Sequence, residues 1–280
     1  MDSRFTLEKR IQAELASYDG KMCLYADDFH GNIICLGADE RVETASTVKV
    51  YILASLFWQV ELGRASLEDM IPYEEKHVVD GSGVLCALEP GASFRVKDAA
   101  TLMIIVSDNI ATNMIIDYLG IDTINACIRE LGCNDTVLYN SLHFDRFDRL
   151  GTTTARDYAG IFTRLAQGTL LNPESDRKMV EILKKQHYNS MITREFPPVY
   201  MDSDNTDQVL IHVASKSGSM DACRNDGGII YTPYGPYVLV MLNKDFSDAM
   251  YYPDHPATVF GAKVSRMLLD QFLALEGRFL

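Results

Sequence analysis

Ser46-Thr-Val-Lys49-Val-Tyr-Ile-Leu-Ala54 is the stretch on which the reading of this chain turns. From Val48 to Ala54 it is apolar apart from Lys49 and the Tyr51 hydroxyl, so a helix here has to be buried on nearly all sides. Lys49 then lies one turn beyond Ser46, on the serine's own face. An ammonium is costly to bury charged, so the pKa of Lys49 falls toward that of a working base. Ser46, at the helix start, has unpaired backbone N–H groups nearby that suit an oxyanion.

Two further segments give this pair a context. Ser107-Asp-Asn109 lies between the apolar runs Leu102-Met-Ile-Ile-Val106 and Ile110-Ala111, and Lys216-Ser-Gly218 closes the strand pattern Val209–Ser215. Taken singly, the triplet reads as a helix cap and the lysine as an ordinary strand end. Taken together and in order, they supply a hydroxyl, a lysine to deprotonate it, a second hydroxyl to move protons and a cationic strand edge for a carboxylate. Those are the parts of a serine acyl-transfer site. A second set, Ser175-Asp-Arg-Lys178 and Ser203-Asp-Asn205, precedes the same Lys216. Its first member sits in a solvated helix cap and its second in an acidic loop, so both read as surface features.

With 280 residues, 47% of them hydrophobic, the chain can bury a sizeable core. A net charge of −13 argues against nucleic acid as a partner, because phosphate binding needs a basic face. No stretch approaches the roughly 20 apolar residues of a membrane span. The N-terminal segment through Leu7, Ile11, Leu15 and Tyr18 is amphipathic, without the apolar core of a leader peptide, and the expected location is the cytoplasm. The cysteines, Cys23, Cys35, Cys86, Cys127, Cys133 and Cys223, show no metal spacing and suit reduced thiols. Cys23 and Cys35 fall on neighbouring predicted strands.

The pattern predicts strands at 22–26 and 33–36, then helices at 47–62, 98–106, 109–119, 122–131, 154–167 and 175–186. Strands follow at 209–215, 228–232 and 237–243, with turns at Asn225-Asp226-Gly227 and Pro233-Tyr-Gly-Pro236. A last helix repeats apolar residues from Phe260 to Leu275 and should cover a sheet. The expected fold class is α+β: a five-stranded antiparallel sheet from both chain ends, flanked by helices, with an all-helical subdomain. Residues 1–43 plus 202–280 would form the α/β subdomain and 44–201 the helical one.

Ser46-x-x-Lys49, Ser107-Asp-Asn109 and Lys216-Ser-Gly218 resemble the three signature elements of class A β-lactamases and penicillin-binding proteins. Asp80-Gly-Ser-Gly-Val-Leu85, Val106-Ser-Asp-Asn-Ile-Ala-Thr-Asn113 and Asp226-Gly-Gly-Ile-Ile-Tyr231 are similar to that family's flanking segments. The resemblance implies a β-lactamase/transpeptidase-like fold and assigns roles. Ser46 would be the nucleophile, Lys49 its base, and Ser107 the proton carrier to the leaving nitrogen. Asn109 would hold a substrate amide, and Lys216 and Ser217 a substrate carboxylate. Ser219 would lend its N–H to an oxyanion hole with that of Ser46.

Two departures stand out. The Glu-x-x-Leu-Asn motif that releases the acyl group in class A enzymes is missing, and the loop around Asp145-Arg-Phe-Asp-Arg-Leu150 is shortened by roughly ten residues. Asp148 is the stand-in for that glutamate, with His143 a second candidate. The competing reading pairs Asp145 and Asp148 with Arg146, Arg149 or Arg156 at the surface. The family's arginine beside the lysine motif is also missing, and Arg224 either reaches into the carboxylate pocket or is a hairpin charge. The implied activity is a serine acyl hydrolase acting on β-lactams or related small amides and esters, with slow deacylation and no cofactor or metal. The alternatives are an amidase, peptidase or esterase with another substrate, and a penicillin-binding sensor without turnover. A monomer or weak oligomer is expected.

Overall fold

Helix starts and strand periods are set locally, by side chains that satisfy backbone groups the elements leave open. A computed structural model of the chain describes residues 3–143, 149–188, 190–201 and 209–279. Asp108, Thr154 and Asn172 each accept backbone N–H groups in the first turn of a helix, which fixes where α4 (Asn109–Leu119), α6 (Ala155–Gln167) and α7 (Pro173–Leu183) begin. The other helices are α1 (Ser3–Leu15), α2 (Val48–Glu61), α3 (Val96–Ile105), α5 (Ile121–Glu130) and α8 (Pro256–Ala274).

The strands in chain order are β1 (Lys21–Asp27), β2 (Ile33–Leu36), β3 (Val42–Glu43), β4 (Met70–Pro72), β5 (Ser93–Arg95), β6 (Val137–Leu138) and β7 (Gly151–Thr153). They continue with β8 (His212–Ser215), β9 (Gly218–Met220), β10 (Cys223–Thr232) and β11 (Gly235–Lys244). The main sheet runs β2-β1-β11-β10-β8, antiparallel throughout, and so joins the two ends of the chain as expected. A short sixth strand, β9, also pairs with β10.

Period-two alternation in β11 divides the core. Tyr237, Leu239 and Met241 face a cluster with Leu7 and Ile11 of α1 and Val264, Leu268 and Phe272 of α8. Val238, Val240 and Leu242 join the other cluster, which runs without a break through Tyr158 and Phe162 of α6 into α2–α5 and α7. That cluster crosses the boundary expected at residue 44. At its centre α2 is enclosed all round, with eleven of its fourteen residues buried.

Two expectations change. β10 does not begin at Gly228 but at Cys223, and the segment expected to turn at Asn225-Asp226-Gly227 is strand. These turn-forming residues are tolerated there because each buried polar group finds a partner: the Asn225 side chain donates to Glu43 O, and Asp226 accepts from Met191 and Ile192 N–H. Two small sheets, β3-β7-β6 and β4-β5, join strands of two or three residues, too short for a periodic signal. Cys23 and Cys35 lie on paired strands, but Cys35 stands opposite Tyr25, and all six thiols are free. No helix among the described residues is long and apolar enough to cross a membrane.

Candidate active site

Ser46 sits in a single 3₁₀ turn, Ala45–Thr47, that runs directly into α2. The turn is pinned from several directions. Thr47 N–H and Oγ1 donate to Thr44 O at 3.2 and 2.6 Å. Thr44 N–H donates to Gly151 O, and the Asn225 amide reaches Thr44 O at 3.3 Å. Ala45 is held in the left-handed region at φ 45°. Ser107 is held there too, at φ 51°. Each costs about 1–3 kcal/mol, which the surrounding structure has to offset.

Lys49 is fully buried, one turn from Ser46. Its Nζ donates to Ser107 O at 2.7 Å, Ser107 Oγ at 3.0 Å and Asn109 Oδ1 at 2.8 Å. Three acceptors would use all three protons of an ammonium, leaving no lone pair. The neutral amine keeps two of these bonds and gains a lone pair. Burial favours that form, holding Lys49 well below the usual lysine range; Lys216 adds to this and Asp108 opposes it.

Asp108 ties the second motif to the cleft wall. One of its oxygens caps α4 at Ala111 N–H, and the other accepts Val84 and Leu85 N–H at 2.7 and 2.9 Å. A Cβ on Gly83 would meet that second oxygen at 2.3 Å, so the approach requires glycine. Asn109 is bound on both sides, accepting from Lys49 and donating to Asp80 O at 3.1 Å.

The third motif closes against the nucleophile's turn. A Cβ on Gly218 would lie 2.7 Å from both Ser46 N and Thr47 N. Lys216 is fully buried; burial lowers its pKa to about 7, against the pull of Asp226. Its Nζ donates to Ser217 O at 2.6 Å. Ser217 Oγ in turn donates to Gln186 Oε1 at 3.0 Å. Ser46, Asn109 and Ser219 line one cleft of about 1030 Å³ together with Glu43, Tyr139, Arg149 and Tyr251.

Other candidates fall elsewhere. Arg224 is not a cleft residue. Its guanidinium donates to Met220, Cys223, Ala249 and Met250 carbonyls and lies 4.3 Å from the Tyr251 ring centroid. With β10 starting at Cys223, Arg224 shares a sheet face with Asp226, opposite to Asn225. Asp148 and Asp145 lie outside the described residues, as does Ser203. Arg156, a proposed partner for them, is instead paired with Asp39. His143 lines a separate cavity with His77 and Asp117. Ser175 lies in the first turn of α7, and Lys178 pairs with Glu174 at 2.7 Å at the surface.

Among the described residues, Glu74, His77 and Asp117 are the one group close enough to hold a metal ion. His77 Nδ1 accepts Glu74 N–H, which leaves the neutral ring's proton on Nε2, facing Asp117 at 3.4 Å. Lys76 bridges both carboxylates, while the buried His77 Nε2 makes no hydrogen bond among the described residues.

Sequence reasoning missed three residues. Gln186 orients Ser217, the Tyr158 hydroxyl donates to Lys216 O at 2.7 Å, and Glu43 enters the cleft wall. Only Glu43, three residues before Ser46, stood close enough to a motif to be noticed.

A family model described as the beta-lactamase enzyme family matches residues 6–272. Among solved structures, a β-lactamase from Sphaerobacter thermophilus DSM 20745 superposes with a TM-score of 0.83 at 27% identity, covering 97% of this chain and 98% of that one. PBP-A superposes with a TM-score of 0.83 at 28% identity, covering 96% of each chain. An ancestral class A β-lactamase shares the fold, with a TM-score of 0.81 at 23% identity, covering 95% of this chain and 100% of that one. Fold and family model together support a serine hydrolase of the β-lactamase and penicillin-binding type, and the chain belongs to the beta-lactamase enzyme family.

Proposed function

We propose that Ser46 is an acylating nucleophile for β-lactams or related small amides and esters, and that the acyl-enzyme is released slowly. The observation that carries this reading is the buried Lys49 amine, one turn from Ser46 and bonded to both Ser107 and Asn109. In the neutral form Lys49 takes the Ser46 proton as Oγ attacks the carbonyl carbon. The backbone N–H groups of Ser46 and Ser219 then face the oxyanion. As the C–N bond breaks, Ser107 Oγ gives its proton to the nitrogen and recovers one from Lys49 Nζ, 3.0 Å away. Lys216 supplies positive potential for a substrate carboxylate.

Slow release follows from the missing Glu-x-x-Leu-Asn segment, since no glutamate on that loop can activate water. A relative at 27% identity, a mutant of PBP-A in which one leucine is replaced by glutamate, has been solved as an acyl-enzyme complex with penicillin G. That supports penicillin G as the first probe. Intact-protein mass after mixing with penicillin G should rise by the mass of the whole penicillin and decline over a longer period. Ser46→Ala should stay unmodified. Modification of Ser46→Ala, or no modification of the wild type at any pH, would refute the assignment.

A further inference from the structure

Hydrolysis of an ester on Ser46 needs a base beside the acyl carbon, and among the described residues two carboxylates line the Ser46 cleft, Glu43 and Asp221. Asp221 is already engaged by the Tyr251 hydroxyl. Glu43 is not on the loop that carries the family's glutamate. It ends β3, three residues before the nucleophile. Its Oε1 accepts Leu150 N–H at 3.2 Å and Gly151 N–H at 3.0 Å, and Ala45 N–H also stabilises the anion. A carboxylate offers about four acceptor positions, so one remains for a water.

We propose that Glu43 is the base that activates water for release of the acyl group from Ser46. The inference rests on the acyl-enzyme reading above and names the residue that completes its second half. A water proton passes to the Glu43 carboxylate while the water oxygen bonds to the acyl carbon. The tetrahedral intermediate collapses, the C–Oγ bond breaks, and the proton held by Glu43 is delivered to Ser46 Oγ. The product leaves as a free acid, with both side chains restored.

The environment suits the task. Burial raises the Glu43 pKa, which makes it a stronger base, while the three N–H groups and Arg149 oppose the rise. The charged and titratable groups around it are Arg149 at the end of the loop, Arg41 beside β3, Cys223 on β10, and Tyr139, Asp221 and Tyr251 elsewhere on the cleft wall. The anchoring N–H groups hold the carboxylate in one place, as a positioned base requires.

Glu43→Gln separates base from anchor, because a glutamine oxygen can still accept from Leu150 and Gly151. The full-length protein is labelled with penicillin G, and adduct formation and decay are followed by intact mass from pH 4.5 to 8. Acylation by Glu43→Gln should stay within threefold of wild type. Decay of its adduct should slow by at least tenfold, within the ~10²–10⁴-fold typical of a general base. Wild-type decay should accelerate as pH rises through the Glu43 pKa, and decay in the variant should lose that limb. A purely anchoring role would not change the pH profile.

Glu43→Asp, which keeps the charge one methylene short, should decay faster than Glu43→Gln. Equal decay rates and equal pH profiles for wild type and Glu43→Gln would overturn the proposal while leaving the adduct on Ser46 intact. Failure of wild type to form any adduct would instead overturn the acyl-enzyme reading, and this inference with it.

Discussion

Gly218→Ala places a single methyl group where the third motif touches the nucleophile's turn. Gly218 has no positive φ, so alanine can adopt its backbone conformation and the effect is purely one of space. The new Cβ would sit 2.7 Å from Ser46 N and Thr47 N and 3.1 Å from Thr44 O, all backbone atoms that no rotamer change can move. Restoring ordinary contact requires the turn and the strand end to separate by about 0.8 Å or more, given optimal carbon contacts of ~3.5–4.0 Å. A displacement of ~1 Å at a reacting group costs about a hundredfold in rate. The expected loss in the acylation rate constant is therefore roughly 30- to 100-fold. Overpacking of this kind destabilises by ~1–3 kcal/mol. In a chain of this size that lowers Tm by roughly 2–5 °C. The assay pairs a time course of penicillin G labelling by intact mass with thermal unfolding. Gly261→Ala is the control, because its Cβ would meet Met191 Sδ at 2.6 Å on the α8 face of the sheet. That variant should change stability without changing acylation. If Gly218→Ala acylates at the wild-type rate and melts within a degree of wild type, the close approach does not set the position of Ser46.

Two other variants test separate parts of the site. Lys49→Met removes the base and should lower acylation by ~10²–10⁴-fold. In the wild type, acylation should rise with pH through the depressed Lys49 pKa, because only the neutral amine accepts the Ser46 proton; a stopped time course from pH 5 to 9 reads this limb, and a flat wild-type profile would count against Lys49. Arg224→Met should lower stability by about 1–3 kcal/mol, since it removes a buried guanidinium donor from the buried Cys223 carbonyl and from the more exposed Met220, Ala249 and Met250 carbonyls. Penicillin G acylation should still proceed within threefold of wild type, and a loss of tenfold or more in folded protein would return Arg224 to the substrate pocket.

The parts of this protein readable in sequence are those whose side chains announce their own surroundings. Lys49 in an apolar run signals a buried amine, and Asp108 between two helices signals a cap; both appear in the structure as a buried donor and a helix cap. The parts that were not readable depend on register and on distant backbone. Reading Asn225-Asp226-Gly227 as a turn hid the strand parity that turns Arg224 away from the cleft. That glycine was needed at 218 rests on the backbone of residues 46 and 47, about 170 positions away, and no local pattern carries such information. Gln186 lies outside every motif and became relevant only when β8 brought Ser217 beside it.

The main sheet has a consequence for how the chain is made. The hairpin β1–β2 finds its second neighbour only in β11, close to 220 residues further along. At ribosomal rates of about 5–20 residues per second, that strand emerges tens of seconds later. In the interval Met22, Leu24, Ala26 and Ile34 have only α1 to cover them, without α8, and the hairpin is an unfinished edge open to aggregation or to a chaperone. Moving the hairpin behind β11 by circular permutation should shorten that exposure and raise the soluble yield at high expression rates.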